Sequence, residues 1–245
     1  MHSTVRAARV AGAIYLAMVL IAPFSMIYVP EKLIVHGNAV TTARNILSHE
    51  TWFRVSIVGE LIGHVIFIGL GLALYRLLNE VNKGWAGTMV ALVLVSAAIG
   101  FFNTLNQLAA LVLFRGDDFL SVFDKGQLDA LAYFFLRLNS QGNFMNEIFW
   151  GLWLLPFGLL VFRSGFLPRL LGLWLMISCF FWLALSAIAL LLPTYYEAAF
   201  RYSQPALFSE LAIMLYLLIK GAKVVPTRTL HNSGRSHETV ASEPG

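Results

Sequence analysis

The chain has 245 residues, of which 58% are hydrophobic and only 12% charged, and its formal net charge is +4. The charged share is about half that of a soluble globule, so a water-soluble fold is excluded and lipid becomes the solvent over most of the length. The basic balance does not point to a nucleic acid, because the lysines and arginines stand at the ends of apolar runs rather than in a stripe interleaved with aromatics. A single cysteine, Cys179, excludes an intrachain disulfide and a cysteine-based zinc site.

The N-terminal MHSTVRAARVAG is basic, and the apolar run behind it carries no small-x-small cleavage site before Pro30, so it reads as a retained first span. Six runs are long enough to cross about 30 Å of hydrocarbon at 1.5 Å per residue. They cover residues 10–29, 55–78, 85–114, 142–162, 167–192 and 205–219, the third overlong and expected to tilt, project or kink near Gly100. Between the first and second, residues 39–52 (AVTTARNILSHETW) form an amphipathic pattern with Val40, Ala43, Ile46 and Leu47 on one face. Between the third and fourth, residues 127–138 (QLDALAYFFLRL) do the same with Leu128, Leu131, Phe135 and Leu138. The fold expected is therefore all-α: six transmembrane helices over residues 1–223, two amphipathic helices on the extracytoplasmic face, and a polar, disordered cytoplasmic tail over residues 224–245.

Orientation follows from the basic residues. With the N-terminus inside, the inner segments hold ten lysines and arginines against three acids, and the outer segments seven against seven. Basic residues are retained on the cytoplasmic side, so both termini are expected there.

Three acids remain, and Glu60, Glu147 and Glu210 all fall inside spans two, four and six. Counted from the expected outer starts, each lies five or six residues in, about 8 to 9 Å below the surface, which predicts one layer of carboxylates around a shared outward-facing pocket. His64, one turn beyond Glu60, shares its face. Asn143 stands one turn before Glu147, and Asn103, Asn106 and Gln107 form a second polar patch on span three. An ionisable group at bilayer depth costs at least about 2.5 kcal/mol, so these groups need partners or water. Glu60, His64, Asn103, Asn106, Gln107, Asn143, Glu147 and Glu210 are the candidate ligand-binding residues, although the same amides and Gly59/Gly63 also suit helix-to-helix packing. The segments SQGNFMNE and SQPALFSE, ending at Glu147 and Glu210, share Ser-Gln and Glu at one offset. Glu60 and Glu147 each precede an arginine, Arg76 and Arg163, by sixteen residues, which suggests three related helical hairpins.

The run IFWGLWLLPFGLLVFRSGFLPRLLG (148–172), with AGAIYLAMVLIAPFSMIYVPEKLIV (11–35) and FNTLNQLAAL (102–111), resembles a bacterial membrane-protein family catalogued as domain of unknown function 4386. The resemblance extends from Ala7 to Lys220 and implies a bacterial cytoplasmic-membrane protein of several helices, without a reaction. Three functions remain open on the residues. One is a protein that binds or transports a cation, protons or a small polar solute in the polar pocket. Another is an intramembrane metal-dependent hydrolase with Glu60, His64 and Glu147 as ligands or base, although no HExxH, nucleophile elbow or phosphate loop is present. The last is a structural or regulatory partner with no ligand, its basic inner face meeting lipid. No motif names a cofactor.

Overall fold

The structure is a computed structural model that describes residues 2–222; the expected tail over residues 224–245 lies outside them. Among the described residues there is no strand. The helices in chain order are α1 (His2–Pro23), α2 (Val29–Leu33), α3 (Ala39–Ser48), α4 (Glu50–Leu78), α5 (Lys83–Arg115), α6 (Lys125–Leu152), α7 (Leu154–Arg163), α8 (Arg169–Leu191) and α9 (Tyr196–Ile219). Together they make six helical units long and apolar enough to cross a membrane, namely Thr4–Leu33, Glu50–Leu78, Lys83–Arg115, Lys125–Arg163, Arg169–Leu191 and Pro193–Ile219. Large apolar side chains ring the bundle on its outside, among them Leu20, Val65, Phe102, Leu170 and Phe180. Such a belt is stable against lipid and not against water, so the protein is a membrane protein.

Local chemistry sets where the helices begin and break. Asn38 and Asn82 cap α3 and α5, each Oδ1 accepting a backbone N–H two or three residues into the helix at 2.9 Å. Asp124 and Gln127 form a capping box at the start of α6. Proline accounts for both interruptions within a span. Pro156 has no N–H to give the carbonyl of Leu152, and α6 passes into α7 at Trp153. Pro23 likewise ends α1, and the next five residues, Phe24–Tyr28, wind as a π-helix in which the N–H of Val29 reaches back to Phe24 O.

Three expectations are corrected. Residues 127–138 are no separate helix but the opening of α6, which runs unbroken from Lys125; its buried line is Leu128, Ala132 and Leu136, turned from the expected face. Residues 39–52 divide at His49 into α3 and the first turn of α4, with Ala43 and Ile46 buried and Val40 and Leu47 exposed. Finally, α5 is continuous through Gly100. The common reason is that caps and tertiary support extend helices well past the apolar run that reveals them in the sequence.

Two apolar cores hold the bundle. One, at the end where α1 begins and α9 finishes (the terminal end), gathers Leu74, Met89, Trp153, Phe157, Val161 and Met214. Within it α7 and α8 touch backbone to backbone, since a Cβ on either Gly158 or Gly172 would stand 2.6 Å from the other's carbonyl oxygen. The second, at the α3 end, gathers Val29, Ile46, Phe53, Leu111, Phe114 and Leu136. Most of the buried polar side chains lie between the two.

Candidate functional site

The polar layer has two halves. In the first, α5 and α6 face each other through amides. Asn103 Nδ2 donates to Asn139 O at 2.8 Å and to Asn143 Oδ1 at 2.9 Å, and Asn139 Nδ2 returns a bond to Asn103 O at 3.1 Å. Asn106 Nδ2 donates to its own neighbour, Asn103, at 3.1 Å. Two turns nearer the terminal end, Ser96 Oγ donates to Asn146 Oδ1 at 3.0 Å and Asn146 Nδ2 to Ser96 O at 3.2 Å. This zipper closes because Gly142 has no side chain: a Cβ there would collide with the Asn103 amide.

In the second half the helices stand apart. A cavity of about 250 Å³ lies among α1, the π-helix, α4, α6, α8 and α9. Its polar wall consists of Glu60 and His64 on α4, Glu210 on α9 and Ser25 in the π-helix. The π-helix presents Ser25 beside Gly59, whose hydrogen leaves room for the Ser25 hydroxyl. Ser25 Oγ is buried and has no hydrogen-bond partner among the described residues. The remaining wall is apolar, built chiefly from Trp150, Trp153, Trp182 and Phe67. Trp153 is fixed by stacking on Phe157 at 5.3 Å and by the edge of Phe67 at the same distance, and Trp150 meets Trp182 edge-on at 5.6 Å.

Both carboxylates on the wall are held by neutral donors. Gln107 Nε2 reaches both oxygens of Glu60 at 2.8 Å. Glu210 accepts from Tyr15 OH at 2.5 Å and from Trp182 Nε1 at 3.3 Å. The ion pairs among the described residues are all elsewhere, Glu50 with Arg54 and Arg115, and Lys125 with Asp129. No lysine or arginine among the described residues therefore offsets a negative charge on Glu60 or Glu210, and in a low-dielectric interior an uncompensated charge is costly. His64 lies against Gly100, where a Cβ would overlap its ring, and meets Phe101 at 5.2 Å; it makes no hydrogen bond to Glu60.

The structure thus brings Glu60, His64 and Glu210 to one cavity, with Gln107 behind Glu60. It does not bring the others there. Glu147 is buried but is not among the residues lining the cavity; its Oε1 accepts from Tyr196 OH at 2.5 Å and Oε2 has no partner among the described residues. Asn103, Asn106 and Asn143 belong to the α5–α6 zipper. Nor do the three glutamates share a depth. At 1.5 Å per residue Glu60 stands about 27 Å before the end of α4 and Glu210 about 14 Å before the end of α9, a difference of roughly 13 Å along the bundle. Part of this escaped the sequence count because α9 begins nine residues, and α4 five, before the apolar runs from which depth was measured, a relative shift of four residues or about 6 Å. Glu60, His64 and Glu147 form no metal cluster: among the described residues no three His, Cys, Asp or Glu side chains come together.

Sequence reading passed over Tyr15, Ser25, Asn139 and Trp182. Asn139 had a signal, since it precedes Asn143 and Asn146 by one and two turns on a continuous helix. Tyr15 and Trp182 had none, because nothing in α1 or α8 announces a contact with α9.

Six apolar helical units around a largely apolar void that carries two carboxylates define a polytopic helical membrane protein with a cavity among its helices. The chain belongs to the family described as domain of unknown function (DUF4386), whose sequence model matches residues 10–221. No curated protein and no solved structure matches it.

Proposed function

We propose that the protein binds or transports a cation, admitted with or without protons, in the cavity between Glu60 and Glu210. The observation that carries this reading is the pair of carboxylates on one cavity wall with neutral donors alone around them. Two buried carboxylates with no lysine or arginine beside them mark a functional site by default, and they support a site that exchanges its protons for a cation that arrives and leaves. The excess of basic residues at the terminal end supports an orientation with both termini in the cytoplasm and α3 outside. The reading extends to a bacterial cytoplasmic membrane on the sequence resemblance carried by residues 148–172, 11–35 and 102–111.

The test is ligand-dependent thermal stabilisation of purified protein. Glu60→Gln and Glu210→Gln keep the shape of the site and one acceptor oxygen each while removing the charge, so both are expected to fold while their affinity for a cation falls roughly tenfold or more. Glu147→Gln, away from the cavity, leaves it unchanged. Equal loss in all three variants would return the polar layer to a purely structural role. The α5–α6 zipper already has that role, the amides of Asn103 and Asn139 being spent on the facing helix.

A further inference from the structure

Resting on the cation-binding reading above, we infer that the occupant of this cavity is an organic ammonium with an apolar, ring-sized body, its charged head seated at Glu210 among the tryptophans.

The wall decides against a bare inorganic ion. A hard cation gives up its water only to six or more oxygen ligands in a tight shell, and the side-chain oxygens here are those of Ser25, Glu60 and Glu210, spread along the cavity. An ammonium asks for less. It is satisfied by one carboxylate and by aromatic faces, which attract it through the ring quadrupole at distances up to about 6 Å. Glu210 is where these coincide: Trp182 donates to its carboxylate, Trp150 packs on Trp182, and Trp153 stands on the same wall. The indole that orients the carboxylate is thus part of the aromatic surface offered to the cation.

The remainder of the cavity specifies the body. Most of the remaining lining, Phe67, Met18 and Gly63 among it, is apolar and gains nothing from a fully hydrated guest. A cavity of roughly 150 Å³ accepts a benzene molecule, so about 250 Å³ accommodates one ring and a short aminoalkyl arm. Ser25, whose hydroxyl is buried against Gly59 without a hydrogen-bond partner, also stands among the lining residues. Gly63 marks the room available, since a Cβ built there meets no atom within 4 Å.

The experiment measures the melting of detergent-purified full chain at one buffered pH with 2-phenylethylamine hydrochloride, the uncharged 2-phenylethanol, and the chlorides of sodium, potassium and magnesium. The amine is expected to raise Tm in a saturable way while the alcohol and the inorganic salts do not. Two variants remove the effect for different reasons: Glu210→Gln takes away the charge, and Gly63→Leu fills the cavity while leaving both carboxylates in place. Each is expected to weaken the apparent affinity for the amine roughly tenfold or more, with the unliganded Tm showing that each has folded. Stabilisation by an inorganic cation and not by the amine overturns this inference and leaves cation binding standing. Equal stabilisation by the alcohol, or silence from every probe, overturns both. An amine effect that survives in both folded variants places the ligand elsewhere and overturns the assignment.

Discussion

The two halves of the polar layer use the same kinds of residue to opposite ends. Between α5 and α6 the helices close until amide meets amide, and Gly142 is the small residue that lets them. Between α4 and α9 they remain apart, and Gly63, equally small, faces empty space. In the first half the polar groups bond one another across closely packed helices; the second keeps a void between helices, two carboxylates with neutral partners and a hydroxyl with none. Polarity within a membrane bundle is therefore not one signal. Whether it joins helices or serves a guest depends on whether the opposite helix comes close enough to use it.

The sharpest way to break the comparison is to add a side chain to each glycine. Gly142→Val drives its methyl groups into the Asn103 amide and is expected to cost at least about 3 kcal/mol, read as a large drop in denaturation midpoint or in monodisperse yield. Next in size is Gln107→Leu, which strips Glu60 of its donor; a loss of about 2 kcal/mol is expected. Adding Glu60→Leu should recover much of that loss, because the penalty belongs to the orphaned carboxylate rather than to the missing bond. Gly63→Ala should move stability the other way by about 0.5 to 1 kcal/mol, since a helical alanine replaces a glycine and meets nothing. A destabilised Gly63→Ala would mean that the void is occupied by the protein itself. Smallest is Ser96→Ala, which removes one of two bonds to Asn146; about 0.6 kcal/mol is expected, the ordinary worth of an interhelical hydrogen bond in a membrane.

How much of this was legible from residues alone differs between fold and site. The six spans are visible because twenty apolar residues in a row have no other stable destination, while the two amphipathic segments are visible as helical but not in their extent or buried face. Their ends were less visible. The start of α9 at Tyr196 and the fusion of residues 127–138 into α6 depend on neighbours that support a helix beyond its apolar stretch. Depth counted from the wrong starts placed three glutamates in one layer, whereas Glu210 lies about 13 Å closer to the terminal end than Glu60. Spacing along one helix was dependable, so Glu60 and His64 do share a wall. Facing across helices was not, and Glu147 turned out to look toward Tyr196 instead.

The sequence by itself determined that the chain spans a membrane with six helical units and that it must house acidic side chains at depth, because hydropathy and charge act residue by residue through transfer free energy. Only the tertiary structure decided which of those acids face a void and which face a partner. That outcome is set by distances between helices far apart in the chain: Tyr15 to Glu210, Gln107 to Glu60 and Tyr196 to Glu147. Close packing admits a few discrete arrangements of such pairs, and no periodicity within a single helix distinguishes among them.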